Sequence, residues 1–304
     1  MRSKKIFIGV LIIITLALQI GCTAQVQDNG EDMEDNAQHD VQREIMEEFD
    51  RLVDSEAGLD EIIGFIDDSI AQLSEEHASI MLDRLEGLQE KNLPVLDEKF
   101  YSDQTIQSGI NKIYGPGFDM NTVDQMEDGR LKDLLAEAGN TGYRVETAEG
   151  MYFPIIDYKF YEKYSYYVTA DMNEYIDIMA VESDEVPAKD AALVISWDAI
   201  LERALRQERF LGQYPDSIKA DQIRRLYKKY VSFTLFGLNN TPLFEYDTNT
   251  MKDDAKAVYK QAVGSGQDSG YLDTIREYIE VLEKDNFKLT DEVDKYRKNV
   301  YGSI

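Results

Sequence analysis

LDEIIGFIDDSIAQLSEEHASIMLDRLEGL, residues 59–88, decides the fold class. Leu59, Ile62, Ile63, Ile66, Ile70 and Leu73 recur at spacings of three and four, and Ala78, Met81, Leu85 and Leu88 repeat the pattern. Such spacing puts each set on one face of a helix. Upstream, Val41, Ile45, Phe49, Leu52 and Val53 form a further stripe that Gly58 interrupts. Three amphipathic helices joined by short connections should fold back on one another. Asn92-Leu93-Pro94 is expected to end the third, because proline lacks the amide the helix needs. The first helical segment is therefore expected over residues 41–100.

The remaining chain, 101–304, reads as a helical domain with a hairpin insertion. Gly115-Pro116-Gly117 is a turn signal, and Thr122 with Gln125 has the spacing of a helix-capping box. Residues 143–147 and 151–157 are rich in β-branched and aromatic types and flank Ala148-Glu149-Gly150, so a β-hairpin is expected over about 143–157. Pro154 makes its second arm an edge or bent strand. Helical stripes return with Met172, Ile176 and Met179, then over Ala192–Leu211, and again through Ile223, Leu226, Tyr227, Tyr230, Phe233 and Leu235. Thr250–Val263, Tyr271–Leu282 and Leu289–Val300 complete an expected total of about ten helices. The fold class that follows is mainly α: a multi-helix array or bundle with one small hairpin.

Composition narrows the function. The chain has 304 residues, 59 acidic against 32 basic, one cysteine, two histidines and a formal charge of −27. That charge opposes non-specific binding of nucleic acid, which depends on cations meeting phosphates. One cysteine excludes an intrachain disulfide and multi-cysteine metal sites. No cofactor is implied.

The amino terminus reads as an address. Arg2, Lys4 and Lys5 precede an uncharged run over Ile6–Ile20, too short for the roughly 20 residues that span a bilayer as a helix. Leu18-Gln19-Ile20-Gly21-Cys22 follows and resembles the lipobox of bacterial lipoproteins, with Gln19 where the pattern prefers leucine. The resemblance implies a signal peptide over 1–21, cleavage before Cys22, and a diacylglyceryl thioether on that sulfur. It further implies a chain held on the outer face of a membrane by lipid. Loss of Arg2, Lys4 and Lys5 makes the remaining chain three charges more negative. Residues 22–40 then form an acidic tether, with Asp28, Glu31, Asp32, Glu34, Asp35 and Asp40 and little to bury. It is expected to stay disordered and to reach about 23 Å as a flexible coil.

Signals for chemistry are sparse. Ser-x-x-Lys, Gly-x-Ser-x-Gly, His-Glu-x-x-His and phosphate-loop patterns are absent from the sequence. His77 sits at the polar start of a helix, as a capping or solvated residue does, and His39 lies alone among carboxylates. Asp247-Thr248-Asn249-Thr250-Met251 begins like a calcium loop and then fails, with Met251, Lys252 and Val258 where oxygen, glycine and glutamate belong. A capped helix start at Thr250 is the better reading. Asp119-Met120-Asn121 fails similarly, and no metal is expected.

Two features stand above background. Eight aromatics crowd the sixteen residues from Tyr152 to Tyr167: Tyr152, Phe153, Tyr158, Phe160, Tyr161, Tyr164, Tyr166 and Tyr167. They suit either a packed core or a surface for sugar or protein. Arg224, Arg225, Lys228 and Lys229 form a basic patch that pairs with neighbouring acids or holds an anionic partner. Phe210-Leu211-Gly212-Gln213-Tyr214-Pro215-Asp216-Ser217 resembles the junction in tetratricopeptide-like helical repeats of envelope lipoproteins, with Asp216 or Ser217 capping the following helix. The period of about 34 residues that such repeats require is not found. The expected function is a non-enzymatic binding or scaffolding module for an envelope protein or glycan; the alternative is an envelope hydrolase using paired Asp/Glu carboxylates.

Overall fold

The computed structural model describes residues 30–115, 118 and 129–304. Cys22, the leader, the Thr122–Gln125 capping box and Asp119-Met120-Asn121 lie outside the described residues. Eleven α-helices are found among those described. They are α1 (Gly30–Asp54), α2 (Leu59–Ser69), α3 (Glu75–Tyr101), α4 (Gln104–Ile113), α5 (Gly129–Asn140), α6 (Ala170–Asp184), α7 (Trp197–Gln213), α8 (Ala220–Phe236), α9 (Asp253–Val263), α10 (Gly270–Lys284) and α11 (Asp291–Ser303). The fold is mainly α, and among the described residues the sheet consists of three two-stranded antiparallel hairpins.

The largest hairpin pairs β1 (Tyr143–Ala148) with β2 (Met151–Ile156), with Ala148 opposite Met151. Its two-residue turn places Glu149 (φ 51°) and Gly150 (φ 75°) in the left-handed region, as the twist-matched hairpin turn requires. Pro154 pairs with Val145 in a sheet that has only edges, so its missing amide costs little. Just before β1, Gly142 has φ +79°, and a Cβ there would lie 2.3 Å from the Gln89 side chain. Only glycine lets Gln89 reach across to the Thr141 carbonyl, at 2.8 Å.

Four boundaries depart from the sequence reading. First, α1 begins at Gly30 within the stretch expected to be a disordered tether. Second, α3 runs through Pro94 to Tyr101. An interior proline costs about 3 kcal/mol, but Leu96 and Phe100 beyond it are 1% and 0% exposed. Burying each contributes about 1.5–3 kcal/mol, enough to carry the helix on.

Third, α7 starts at Trp197, not Ala192. Residues 188–193 instead form β3 (Ala188–Lys189) and β4 (Ala192–Leu193), with Asp190 and Ala191 at positive φ in the turn. Ser196 then caps α7 by accepting from the Ala199 amide. Fourth, Thr250 is bridged to Lys288, and α9 begins only at Asp253. A last hairpin joins β5 (Gly237–Leu238) to β6 (Thr241–Pro242).

Gln42–Ile304 forms one compact unit containing two apolar cores. The first extends from Phe49 to Ala180 and takes in Phe210 and Ile223; the second draws on α7 to α11. Leu226 on α8 packs against both. α3 runs on to Tyr101 and packs on α4, α5 and β2. Where the α7–α8 junction was expected to be capped by Asp216 or Ser217, the position before α8 is Lys219, whose side chain makes no cap. Ser217 serves the turn itself, its Oγ accepting from the Lys219 amide at 3.1 Å.

Candidate functional site

The aromatic cluster turns inward. Tyr152, Tyr158, Tyr161 and Tyr164 are buried, Phe153 and Phe160 are half-buried, and only Tyr166 and Tyr167 are exposed. Of the two readings of the cluster, packed core or binding surface, its burial fits the core for most of these residues. The reason lies in the hydroxyls, each of which finds an acceptor beneath it. Tyr161 donates to Gln89 Oε1, Tyr164 to Asp67 Oδ1 at 2.8 Å, and Tyr152 to Asn111 Oδ1 at 2.8 Å. A tyrosine with its polar tip satisfied is a good core residue. The short 3-10 helix over Tyr158–Tyr164, capped by Asp157, delivers Tyr158 and Tyr161 onto α3 and Tyr164 onto α2.

Glu86 on α3 is the focus of that packing. Its carboxylate is 3% exposed and accepts from the Tyr158 and Tyr175 hydroxyls, from Lys219 Nζ, and from Gln222 Nε2 at 3.3 Å. Lys219, 1% exposed, also meets Asp83 at 2.5 Å and lies 4.7 Å from the Tyr175 ring centre. Burial, reinforced by the Glu86 charge, pushes both tyrosines well above their ordinary range. Glu90, one turn on, is raised by burial and by the Glu86 charge. The network ties α3, α6, α8 and the 3-10 helix together, and its central carboxylate and ammonium are closed to solvent.

A second polar centre joins α6 to α7 and α8. Arg203 Nη1 donates to Glu182 Oε1 (3.4 Å), the Glu185 carbonyl (2.9 Å) and the Tyr230 hydroxyl (3.2 Å), and Nη2 to Glu185 Oε2 (2.9 Å). Tyr230 in turn donates to Glu182 at 2.5 Å. Burial raises the Glu182 carboxyl above the usual range despite these donors. The group borders a cavity of about 210 Å³ floored by Ile178, Val181 and Ala199. Gln207 lines the same cavity, is 0% exposed, and leaves both Oε1 and Nε2 without a partner.

Next to that cavity, sharing Glu202 and Arg206 in its lining, an open cleft of about 560 Å³ lies between α7 and α9. Leu201, Leu205, Val258 and Ala262 give it an apolar floor; Asp198 and Glu202 stand toward the start of α7, Arg206 and Arg209 toward its end. Arg206 is engaged by Glu174 at 2.8 Å and Asp177 at 3.3 Å. The cleft is larger than the cavity beside Gln207, and no sequence motif marks it. Its apolar spacings, Leu201 to Leu205 and Val258 to Ala262, were the available signal.

The basic patch is largely committed to its own surroundings. Arg224 pairs with Asp221, and Lys228 donates to the Ile304 carbonyl at 3.0 Å over the Tyr301 ring. Lys229 lies 5.6 Å from the Phe233 ring centre, and Arg225 offsets the charge on Glu90. Ser74 caps α3 by accepting from the His77 amide, and the His77 ring meets Gln42 Oε1 at 2.8 Å, which joins α1 to α3. Among the described residues no group of three or more His, Cys, Asp or Glu side chains is placed to hold a metal, and no helix is long and apolar enough to cross a membrane. The chain matches no family model, and neither a curated protein nor a solved structure is significantly similar to it.

Proposed function

We propose that the protein is a lipid-anchored binding module on the outer face of a bacterial membrane, serving an envelope protein or glycan partner. One observation carries the address: the chain's single cysteine stands at Gly21-Cys22, behind a cationic start and a short uncharged apolar run. Two acyl chains hold a protein at a membrane stably, at about 0.8 kcal/mol per buried methylene. The open cleft beside α7 supports the binding role. Cys22→Ala followed by membrane fractionation tests the anchor: the variant is expected in the soluble fraction, and unchanged membrane retention would defeat the reading. Cross-linking on intact cells, followed by recovery of the protein, tests the binding role.

A second reading, a carboxylate-dependent hydrolase, is favoured by one observation. Glu182, with its raised carboxyl, borders the same cavity as Glu185. Glycoside hydrolysis uses two carboxyl groups, one of which has a raised pKa and acts as general acid. Release of reducing sugar from envelope glycan by the wild type, abolished in Glu182→Gln, would establish it.

A further inference from the structure

The cleft between α7 and α9 is electrically polarised. Asp198 and Glu202 lie at one end, Arg209 at the other, and between them run Leu201 and Leu205. All three charged side chains are exposed, and among the described residues none of the three has an ion-pair or hydrogen-bond partner. That sets them apart from Arg206, which two carboxylates already occupy. At 1.5 Å per residue along α7, Glu202 and Arg209 stand about 10 Å apart and Asp198 and Arg209 about 16 Å. An extended chain advances about 3.3–3.6 Å per residue, so three to five residues span that gap. A volume of about 560 Å³ falls within the usual range for small-ligand sites.

We propose that this cleft binds a short peptide with free ends, its ammonium toward Asp198 and Glu202, its carboxylate on Arg209, and apolar side chains on the floor. Gln261 and Gln267, which also line the cleft, have side-chain amides with no bond elsewhere among the described residues and serve the peptide backbone. The inference rests on the reading of the chain as a binding module and is independent of the anchor.

Binding is read by isothermal titration calorimetry, because the only tryptophan, Trp197, is buried in the second core and does not line the cleft. The full chain in detergent is titrated with Ala-Leu-Ala, and with the same tripeptide acetylated, amidated, or blocked at both ends. The free tripeptide is expected to give a saturable change, and blocking either end to weaken it about tenfold, as loss of one charge-assisted contact does. Arg209→Ala should weaken the free and acetylated forms about tenfold and leave the amidated form unchanged; Glu202→Gln should do the converse for the amine. The amidated and acetylated controls separate lost contact from lost folding. Equal affinity for free and fully blocked peptide would overturn the zwitterion assignment while leaving a binding groove. Absence of any response up to about 10 mM would overturn the peptide assignment; the binding-module reading is then judged separately by the cross-linking experiment.

Discussion

Gln207→Met should make the protein more stable. Gln207 is wholly buried on α7, and neither its amide oxygen nor its amide nitrogen has a partner. Burying an amide without compensation costs about 1–3 kcal/mol by mutational measures. Methionine is unbranched and close to glutamine in length, so it fills the same space while removing both unmet groups, at a repacking cost below about 1.5 kcal/mol. The expected net gain is about 1–2 kcal/mol. It should appear as a higher urea midpoint at unchanged m-value, or as a rise of about 2–4 °C in Tm per kcal/mol for a body of this size. The tryptophan signal follows the transition, with far-UV circular dichroism as the second probe. A loss of more than about 1 kcal/mol would refute the reasoning. It would mean that the amide is satisfied in solution by a water or ligand held in the adjoining 210 Å³ cavity.

Three further expectations follow from the same geometry. Lys219→Met leaves Glu86 and Asp83 facing each other without their cation and should cost about 3–5 kcal/mol in urea unfolding. Adding Glu86→Gln should recover much of it, and a double variant no better than the single would count against the pairing. Tyr161→Phe strands the buried Gln89 oxygen and should cost about 1–3 kcal/mol, whereas Tyr166→Ala, at 95% exposed, should stay within about 0.5 kcal/mol. Comparable losses in both would undo the assignment of the cluster to the core. Because Glu182 titrates higher folded than unfolded, the folded state binds the extra proton, so its contribution to stability is present at acid pH and is lost as pH rises through its folded value. Glu182→Gln should flatten that decline, and an unchanged slope of stability against pH above the ordinary glutamate range would argue against a buried carboxyl.

Much of this architecture was legible, for a reason that specific elements make plain. The stripes of α2 and α3 and the Glu149-Gly150 turn depend on local periodicity and on backbone conformations that side chains dictate. What escaped was decided by distant partners. Pro94 reads as a stop because its local cost is visible and the burial of Leu96 and Phe100 is not. Tyr158 and Tyr161 could not be fixed as core by local pattern alone, because the acceptors that satisfy them, Glu86 and Gln89, lie 72 positions away. A signal for those acceptors existed: each falls four residues after a buried leucine, Leu82 and Leu85, in line with the apolar face of α3. Arg203 and Lys219 were overlooked because a buried cation is identified by its carboxylates, and those sit on other helices.

The acidity of the chain bears on which ligands the α7–α9 cleft admits. A formal charge of −27 sets up a field that repels a simple anion, so an isolated Arg209 is a weak lure for one. A zwitterion feels that field at both ends with opposite sign, and the net long-range work nearly cancels. What remains is local. The two ends of the cleft are about 10 Å apart, close to the Debye length of about 8 Å at physiological salt, so each charged end acts nearly independently of the other. Ionic strength should therefore separate the ligand classes. Raising salt from about 0.05 to about 0.5 M should weaken the free tripeptide only modestly. It should strengthen an acetylated peptide, a net anion, relative to the free one, because screening removes the repulsion of the whole protein. A free peptide whose affinity collapses with salt as steeply as that of a simple ion would show that net charge, and not the dipolar pattern along α7, governs entry to the cleft.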